Sequence, residues 1–480
     1  MTEPSKTANN PKPQFSIKRA IISGNRLPKE IEVTTNFAEL NIFESLDSPY
    51  LTGKCAITDD QGLFDGIEFQ GTEILELEIG AADINNETAV LNKRFYMISI
   101  EKQQKTNESA SSSAFIFDLI DEHGFLGRIQ KISKSYTGSL ERIVRSILQN
   151  ELGRRVDIGY TGATSGTEEL SAQQDITCII PNLTAIDAIK WLTSRITTPL
   201  GSPYFVYATL VVPDLRSNAG DDKGTGDEED TKTGTIVRLG NLDTMLTQPA
   251  FNKIPYRYTP STASTNAELP PTEKTFTIKQ IKIGSSSNTL RLLEAGAVVN
   301  NYSNTNLNTG EVSKTRHNLS SQLLNLDQNN IIHKEGDLTQ NIFDTEFRVR
   351  DVQIDDYTPR EYHTITSSGT YGALKSYHDE TDESKFKLKT QSRALFMALR
   401  KNPLTVVIEG SALLTTGISV GDIIDLAILG DDSQAAAAGA SPLSQRYSGN
   451  FLIYNLRHVF TSEAHNCVLD VVKLESRDKR

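Results

Sequence analysis

The chain has 480 residues, more than one simple core accommodates, so it is expected to hold about three or four domains of roughly 100 to 200 residues each. With 37% hydrophobic and 23% charged residues it carries enough apolar surface to fold and enough charge to stay soluble. Its 49 basic against 61 acidic residues give a net charge of -12, which argues against a protein held on nucleic acid or anionic lipid, because such footprints are basic. A surface past which DNA merely slides is compatible with that charge.

The N-terminal stretch Met1 to Gln14 is polar, contains three prolines and has no apolar h-region, and no run of about 18 apolar residues occurs anywhere. Folding in a cytosol and no stable membrane association are the expectations. Residues 15–122 read as strands. From Glu73 to Ile79 the residues alternate, with Leu75, Leu77 and Ile79 on one face and Glu76 and Glu78 on the other. Further strands are predicted at Phe15 to Ile22, Glu30 to Phe43, Leu51 to Thr58, Arg94 to Ile100 and Ala114 to Ile120, with Glu101 to Ser113 as a long hairpin loop. Gly24, Pro28, Pro49 and the turn Asp59-Asp60-Gln61-Gly62 separate them, which suggests a small barrel or sandwich.

Residues 123–199 change period and read as an α/β module with two amphipathic helices. The first carries Leu140, Ile143, Val144, Ile147, Leu148 and Leu152 at helical spacing, with Ser139 or Thr137 as N-cap and Gly153 past its end. The second follows Pro181, is capped by Asn182 or Thr184, buries Ile186, Ile189, Leu192 and Ile196, and is closed by Pro199, with Trp191 beside the stripe as core. Residues 200–249 hold the strands Tyr204 to Val212 and Thr235 to Leu239, which need partners from residues 404–474. Between them lies an acidic loop, 213–234, whose Asp221 to Asp230 segment lacks calcium-loop spacing. Residues 250–390 are rich in Asn, Ser and Thr, with short strands at Thr275 to Ile283 and Phe347 to Ile354, and read as a loop-rich peripheral domain. Residues 391–475 return to a helix, Ser392 to Leu399, and strands at Leu404 to Glu409, Ile423 to Leu429, Asn450 to Phe460 and Cys467 to Leu474, with a flexible alanine-rich connection at 430–446.

Little of this sequence speaks of chemistry. Cys55, Cys178 and Cys467 are odd in number and far apart, so they read as buried small hydrophobes rather than disulfides or a CxxC pair. The seven histidines never approach HExxH or HxH spacing, and His458, in an alternating strand with Tyr454, Leu456 and Phe460, reads as a satisfied structural histidine. There is no GxSxG elbow, phosphate loop or GxGxxG after a strand, and the run His378 to Glu383 reads as solvated surface. No catalytic, cofactor-binding or metal residue is assigned, and no cofactor is expected.

The order of elements resembles the central baseplate hub proteins of T-even-type contractile phage tails and, more distantly, the hub half of type VI secretion spike proteins. Four stretches carry the resemblance. They are Ile67 to Leu77 with Ala82 to Asn86 and the strand around Phe95; Ile180-Pro181-Asn182 leading into the Trp191 helix and on to Pro203 to Tyr207; Gly410 to Leu426 with the turn Val420-Gly421-Asp422; and Asn450 to His458 followed by Asn466 to Leu474. The resemblance implies a mainly β chain with α+β insertions, containing two similar antiparallel tube-type β-barrels, one at 15–122 and one split between 200–249 and 391–475. It further implies a homotrimer with pseudo-sixfold symmetry that joins the tail tube or a tube-initiator protein to a separate trimeric spike, contacts baseplate wedge proteins and lets DNA pass as cargo. The acidic insertion and the alanine-rich loop depart from the family pattern, and no spike segment follows Leu474. As interface candidates on barrel strands the reading names Leu75, Leu77, Ile79, Tyr454, Leu456 and His458. The competing classes are a tail-associated cell-wall hydrolase, which needs an acidic pair or a metal in a cleft, and a carbohydrate-binding adhesin, which needs Tyr256, Tyr258, Tyr302 and Tyr371 on one exposed face.

Overall fold

The computed structural model describes residues 15–81, 90–105, 113–153, 176–198, 201–210, 236–258, 276–284, 289–318, 348–366, 392–399, 403–410, 418–428 and 443–473, less a few positions inside these ranges. The segments 1–14, 221–230, 378–383 and 435–440, together with Tyr371, lie outside the described residues.

The N-terminal quarter of the chain is a curled antiparallel sheet of β1 (Phe15–Ser23), β2 (Ile31–Glu32), β3 (Phe37–Ser45), β4 (Thr52–Asp59), β5 (Glu73–Ala81), β6 (Val90–Lys105) and β7 (Ser113–Asp121), in the order β3-β4-β7-β6-β5-β1-β2. Alternation decides which way each strand faces: Leu75, Leu77 and Ile79 are buried while Glu76 is exposed, and β4 buries every second residue. Register shifts at Ile17/Arg19, Phe37/Glu39, Met97/Ser99 and Ile100/Lys102 bend the long strands and curl the sheet. Val33, between β2 and β3, donates its N–H to the Ala20 carbonyl at 2.9 Å, so the chain enters β3 lying against β1.

The next segment begins with a helix that the sequence does not advertise, α1 (Glu122–Ile129). Gly124 and Gly127 lower its intrinsic propensity, but Asp121 caps it by accepting from the Gly124 N–H at 2.6 Å. The glycines also permit close packing: a Cβ on Gly124 would stand 2.6 Å from the Tyr50 ring, and one on Gly127 2.8 Å from Ile186. After β8 (Lys131–Ile132) and β9 (Ser135–Gly138), α2 (Leu140–Ser146) is capped by Ser139 and continues as a π-helical turn to Glu151, ending before Gly153 at φ 62°. Beyond β10 (Ile176–Ile179) and β11 (Leu183–Thr184), α3 (Ala185–Thr193) is capped by Thr184, which accepts from Asp187 N–H and donates to the Asp187 carboxylate. It ends well short of Pro199, so Ile196 joins the core from beyond the helix.

β12 (Tyr204–Thr209) and β13 (Ile236–Asn241) form a hairpin with each other. The strands that pair with the C-terminal half are β14 (Tyr256–Tyr258), which the polar composition of its stretch hides, and β15 (Ile278–Ile283), which falls within the strand expected at Thr275 to Ile283. Polar residues likewise mask β16 (Val299–Asn306) and β17 (Val312–Asn318), which with Glu361–Thr366 (β20) form a separate sheet in the order β17-β16-β20 and bury Asn300, Ser303 and Asn304 beside Val299 and Tyr302. β18 (Arg348–Val349) and β19 (Val352–Gln353) make a two-residue ladder, and β20 (Glu361–Thr366) runs parallel to β16. The chain closes with β21 (Pro403–Glu409), β22 (Ile423–Ile428), β23 (Gly449–Thr461) and β24 (His465–Lys473).

These last strands continue the first sheet. Its order runs β15-β21-β24-β23-β3 and on through the N-terminal strands, giving 13 strands with β22 attached to β23 and β14 to β22. From β23 the hydrogen-bonded path also runs to β22 and β14, and a parallel bridge Arg257↔Thr277 leads back to the start of β15. Two hydrophobic cores lie side by side, one under the N-terminal strands and the α/β segment, the other under β21 to β24. β12 is buried along its whole length because it lies between them: Tyr204, Val206 and Ala208 face the first core, Phe205 and Tyr207 the second. Among the described residues no helix is long and apolar enough to cross a membrane.

Candidate functional site

The two halves meet where β3 pairs with β23, from Asn455↔Ser45 to Thr461↔Glu39. Glu44 sits on the inward face of β3, directly opposite Leu456, and is only 2% exposed. An isolated carboxylate at that depth is costly, and it is held by converging donors. Its Oε1 accepts from the Leu210 N–H at 2.7 Å and lies 3.4 Å from His458 Nε2, and its Oε2 accepts from the Val420 N–H at 3.4 Å. One side chain therefore ties β3, the end of β12, the 418–420 turn and β23 together. The turn itself is fixed by Asp422, which accepts from the Ser419 N–H at 3.0 Å, and by Gly421, at φ 87°, where a Cβ would come within 2.7 Å of the Tyr207 hydroxyl.

Beyond Glu44 the seam contains a compact titratable cluster. His465 and Cys467 are two apart on β24 and share a face, and His458 is the cross-strand partner of Cys467. His458 Nδ1 is 3.3 Å from His465 Nε2 and 3.3 Å from Cys467 Sγ, and Cys467 Sγ is 3.6 Å from His465 Nε2. All three side chains are at most 1% exposed. The Phe460 ring stacks on His465 at 4.2 Å, and Gly410 leaves room for that imidazole, since a Cβ there would meet it at 2.4 Å. Burial pushes His458 down, but Cys467 and then Glu44 favour its cation and raise it to about 10. His465 is held well below the ordinary histidine range by burial and by its charged neighbour His458. Two imidazoles and a thiol are the donor set for a soft or borderline metal ion.

The residues named from sequence fall in two places. Leu75, Leu77 and Ile79 are buried in the first core, and Tyr454 and Leu456 in the second, the Tyr454 hydroxyl donating to Asp47 at 2.5 Å. The structure joins Leu456 and His458 to Glu44 but leaves the β5 trio apart from them. The seam residues that sequence reasoning passed over are Glu44, His465 and Cys467. The signal for the last two was His465-Asn466-Cys467, an H-x-C pair on a strand, where i and i+2 share a face.

Two concavities among the described residues lie elsewhere. A cleft of about 670 Å³ is lined by α3, the start of β12 and Phe396, and its sole carboxylate, Asp47, is the acceptor for Tyr454. A second, of about 720 Å³, is lined by Glu76, Glu78 and Arg94 of opposite charge.

No protein-family model and no curated protein matches the sequence. The fold is similar to a tail protein from Neisseria meningitidis, at 10% identity and a TM-score of 0.49, covering 97% of this chain and 99% of that one. It is also similar to the 43 kDa tail protein of prophage MuSo2 from Shewanella oneidensis, at 9% identity and a TM-score of 0.43, over 96% and 100% of the two chains. A third likeness is to a Francisella PdpA-VgrG complex, at 10% identity and a TM-score of 0.43, over 98% of this chain and 55% of that one. These structural neighbours are two tail proteins, one of them from a prophage, and a VgrG-containing complex.

Proposed function

We propose that this chain is a structural baseplate hub of a contractile phage tail. The observation that carries the proposal is the doubling within one chain: two cores side by side under one continuous curled sheet, locked by the β3–β23 seam and by a strand buried in both. The route through β14, β22, β23, β24, β21 and β15, returned by the Arg257↔Thr277 bridge, supports a second barrel beside the N-terminal one. Two barrel units per subunit give three copies six similar units, which is what matching a sixfold tube to a threefold spike requires.

In this function the chain folds in the host cytoplasm and is incorporated into the virion baseplate as a homotrimer. Its ring joins the tail tube to a separate trimeric spike, wedge proteins surround it, and DNA passes through the bore during ejection. Leu75, Leu77, Ile79, Tyr454 and Leu456 set the strand geometry from inside, while outward residues of the same sheet such as Ile98 and Ile100, 37% and 39% exposed, supply subunit contacts. The net charge of -12 keeps passing phosphates from adhering. Native mass measurement with and without the spike tests the ring: a trimer is expected, and a monomer under both conditions overturns it. Salt-dependent retention of DNA by the trimer would refute the account of the charge.

A further inference from the structure

We propose that His458, His465 and Cys467 bind a zinc ion at the seam, with Glu44 positioning His458. The inference is independent of the hub function. Tetrahedral zinc, with bonds of about 2.0–2.1 Å to nitrogen and about 2.3 Å to sulfur, sets two nitrogens about 3.3 Å apart and nitrogen and sulfur about 3.6 Å apart. The three atoms form a triangle with edges of 3.3, 3.3 and 3.6 Å, each edge within 0.3 Å of those separations, as expected if one ion is to contact all three.

The surroundings complete the argument. A zinc-bound histidine ordinarily gives its other ring N–H to a carboxylate, which fixes the tautomer. His458 turns Nδ1 toward the cluster and Nε2 toward Glu44 Oε1, and Glu44 is itself held by the Leu210 and Val420 backbone N–H groups. The thiolate and imidazole set excludes hard cations such as magnesium and calcium. Phe460 stacked on His465, and the second core around Cys467, shield the ion from bulk water. When zinc binds, the protons on the Cys467 thiol and on His458 Nδ1 are displaced to solvent and the ion staples β23 to β24, while Glu44 transmits that rigidity to β3.

The test uses the full chain. Elemental analysis of protein purified without chelator is expected to find about one zinc per chain, retained in Cys55→Ser and Cys178→Ser and lost in Cys467→Ser and His465→Gln. After chelation, added cobalt should produce a sulfur-to-metal charge-transfer band that Cys467→Ser lacks. Since a ligand variant can fail to fold, Glu44→Gln supplies a second readout: all three ligands remain, and zinc affinity should fall by about 10- to 100-fold. Zinc should raise the melting temperature of the chelated wild type and leave that of folded Cys467→Ser unchanged. Absence of zinc binding by the chelated wild type, equal binding by Cys467→Ser, or retention of copper in preference to added zinc would each overturn the assignment.

Discussion

Phe117→Ala tests whether the two halves unfold as one body. Phe117 is 1% exposed on β7, inside the first core, edge-on to Phe69 at 5.0 Å and stacked with Phe115 at 6.0 Å. Truncating such a ring costs about 3–5 kcal/mol through lost transfer energy and the cavity left behind. In an independently melting body of roughly 200 residues, where each kcal/mol moves the midpoint by about 2–4 °C, a cost of about 4 kcal/mol lowers it by about 8–16 °C. If the seam makes both halves one cooperative unit of twice that size, the melting entropy doubles and the shift falls to about 4–8 °C, shared by both halves. Two intrinsic probes separate the cases. Trp191, the single tryptophan, packs on the first core, and buried Cys467 sits in the second. Tryptophan fluorescence and alkylation of Cys467, located by peptide mass spectrometry, should move together in a thermal or urea series. A Trp191 transition that shifts while Cys467 protection stays at the wild-type midpoint would refute the coupling.

Other changes probe the same construction locally. Asp121→Ala removes the α1 cap and the acceptor for the Leu51 N–H, and should cost about 2–4 kcal/mol in urea unfolding from a lost cap plus a buried unpaired donor. Gly127→Ala drives a methyl into Ile186 and should cost about 1–3 kcal/mol; combined with Ile186→Ala it should cost less than the sum, as a double-mutant cycle would show. Tyr256→Phe removes a hydroxyl that is buried with no hydrogen-bond partner among the described residues, and should hold or raise stability by up to about 1–3 kcal/mol. Burial pushes the Cys55 thiol far up, so it stays protonated when folded, while the unfolded thiol ionises at its ordinary value. Its contribution is fully present below that value and is lost as pH rises beyond it, by up to about 1.4 kcal/mol per pH unit. Denaturation midpoints across alkaline pH should show a shallower decline in Cys55→Ala.

The legible parts of the sequence were those whose burial follows a simple period. Alternation in β5 and β23 and the helical stripes of α2 and α3 name both the element and its buried face, because one side of each is apolar. α1 was hidden by Gly124 and Gly127, whose value lies in the close approach of Tyr50 and Ile186 and not in local propensity. β16 was hidden because it buries Asn300, Ser303 and Asn304 together with Val299 and Tyr302, so no apolar period marks its inner face. β12 reads as an unbroken apolar run, and only the presence of a core on each side explains why Phe205 and Val206 are both inside. The seam could not be read locally, since Glu44 and His458 are 414 positions apart and neither neighbourhood in sequence contains the other.

That separation has a consequence for synthesis. From Glu39 to Ser45, β3 acquires its β23 neighbour only when residues up to Thr461 have left the ribosome, 416 positions after Ser45. At about 5–20 residues per second the nascent chain carries this unpaired, partly apolar strand edge for roughly 20–80 s. Such an edge invites pairing with other chains, and many copies made together would present it at once. The late arrival of β23 is thus the step that converts an association-prone intermediate into a protected one, and chains ending before residue 449 should accumulate in the insoluble fraction.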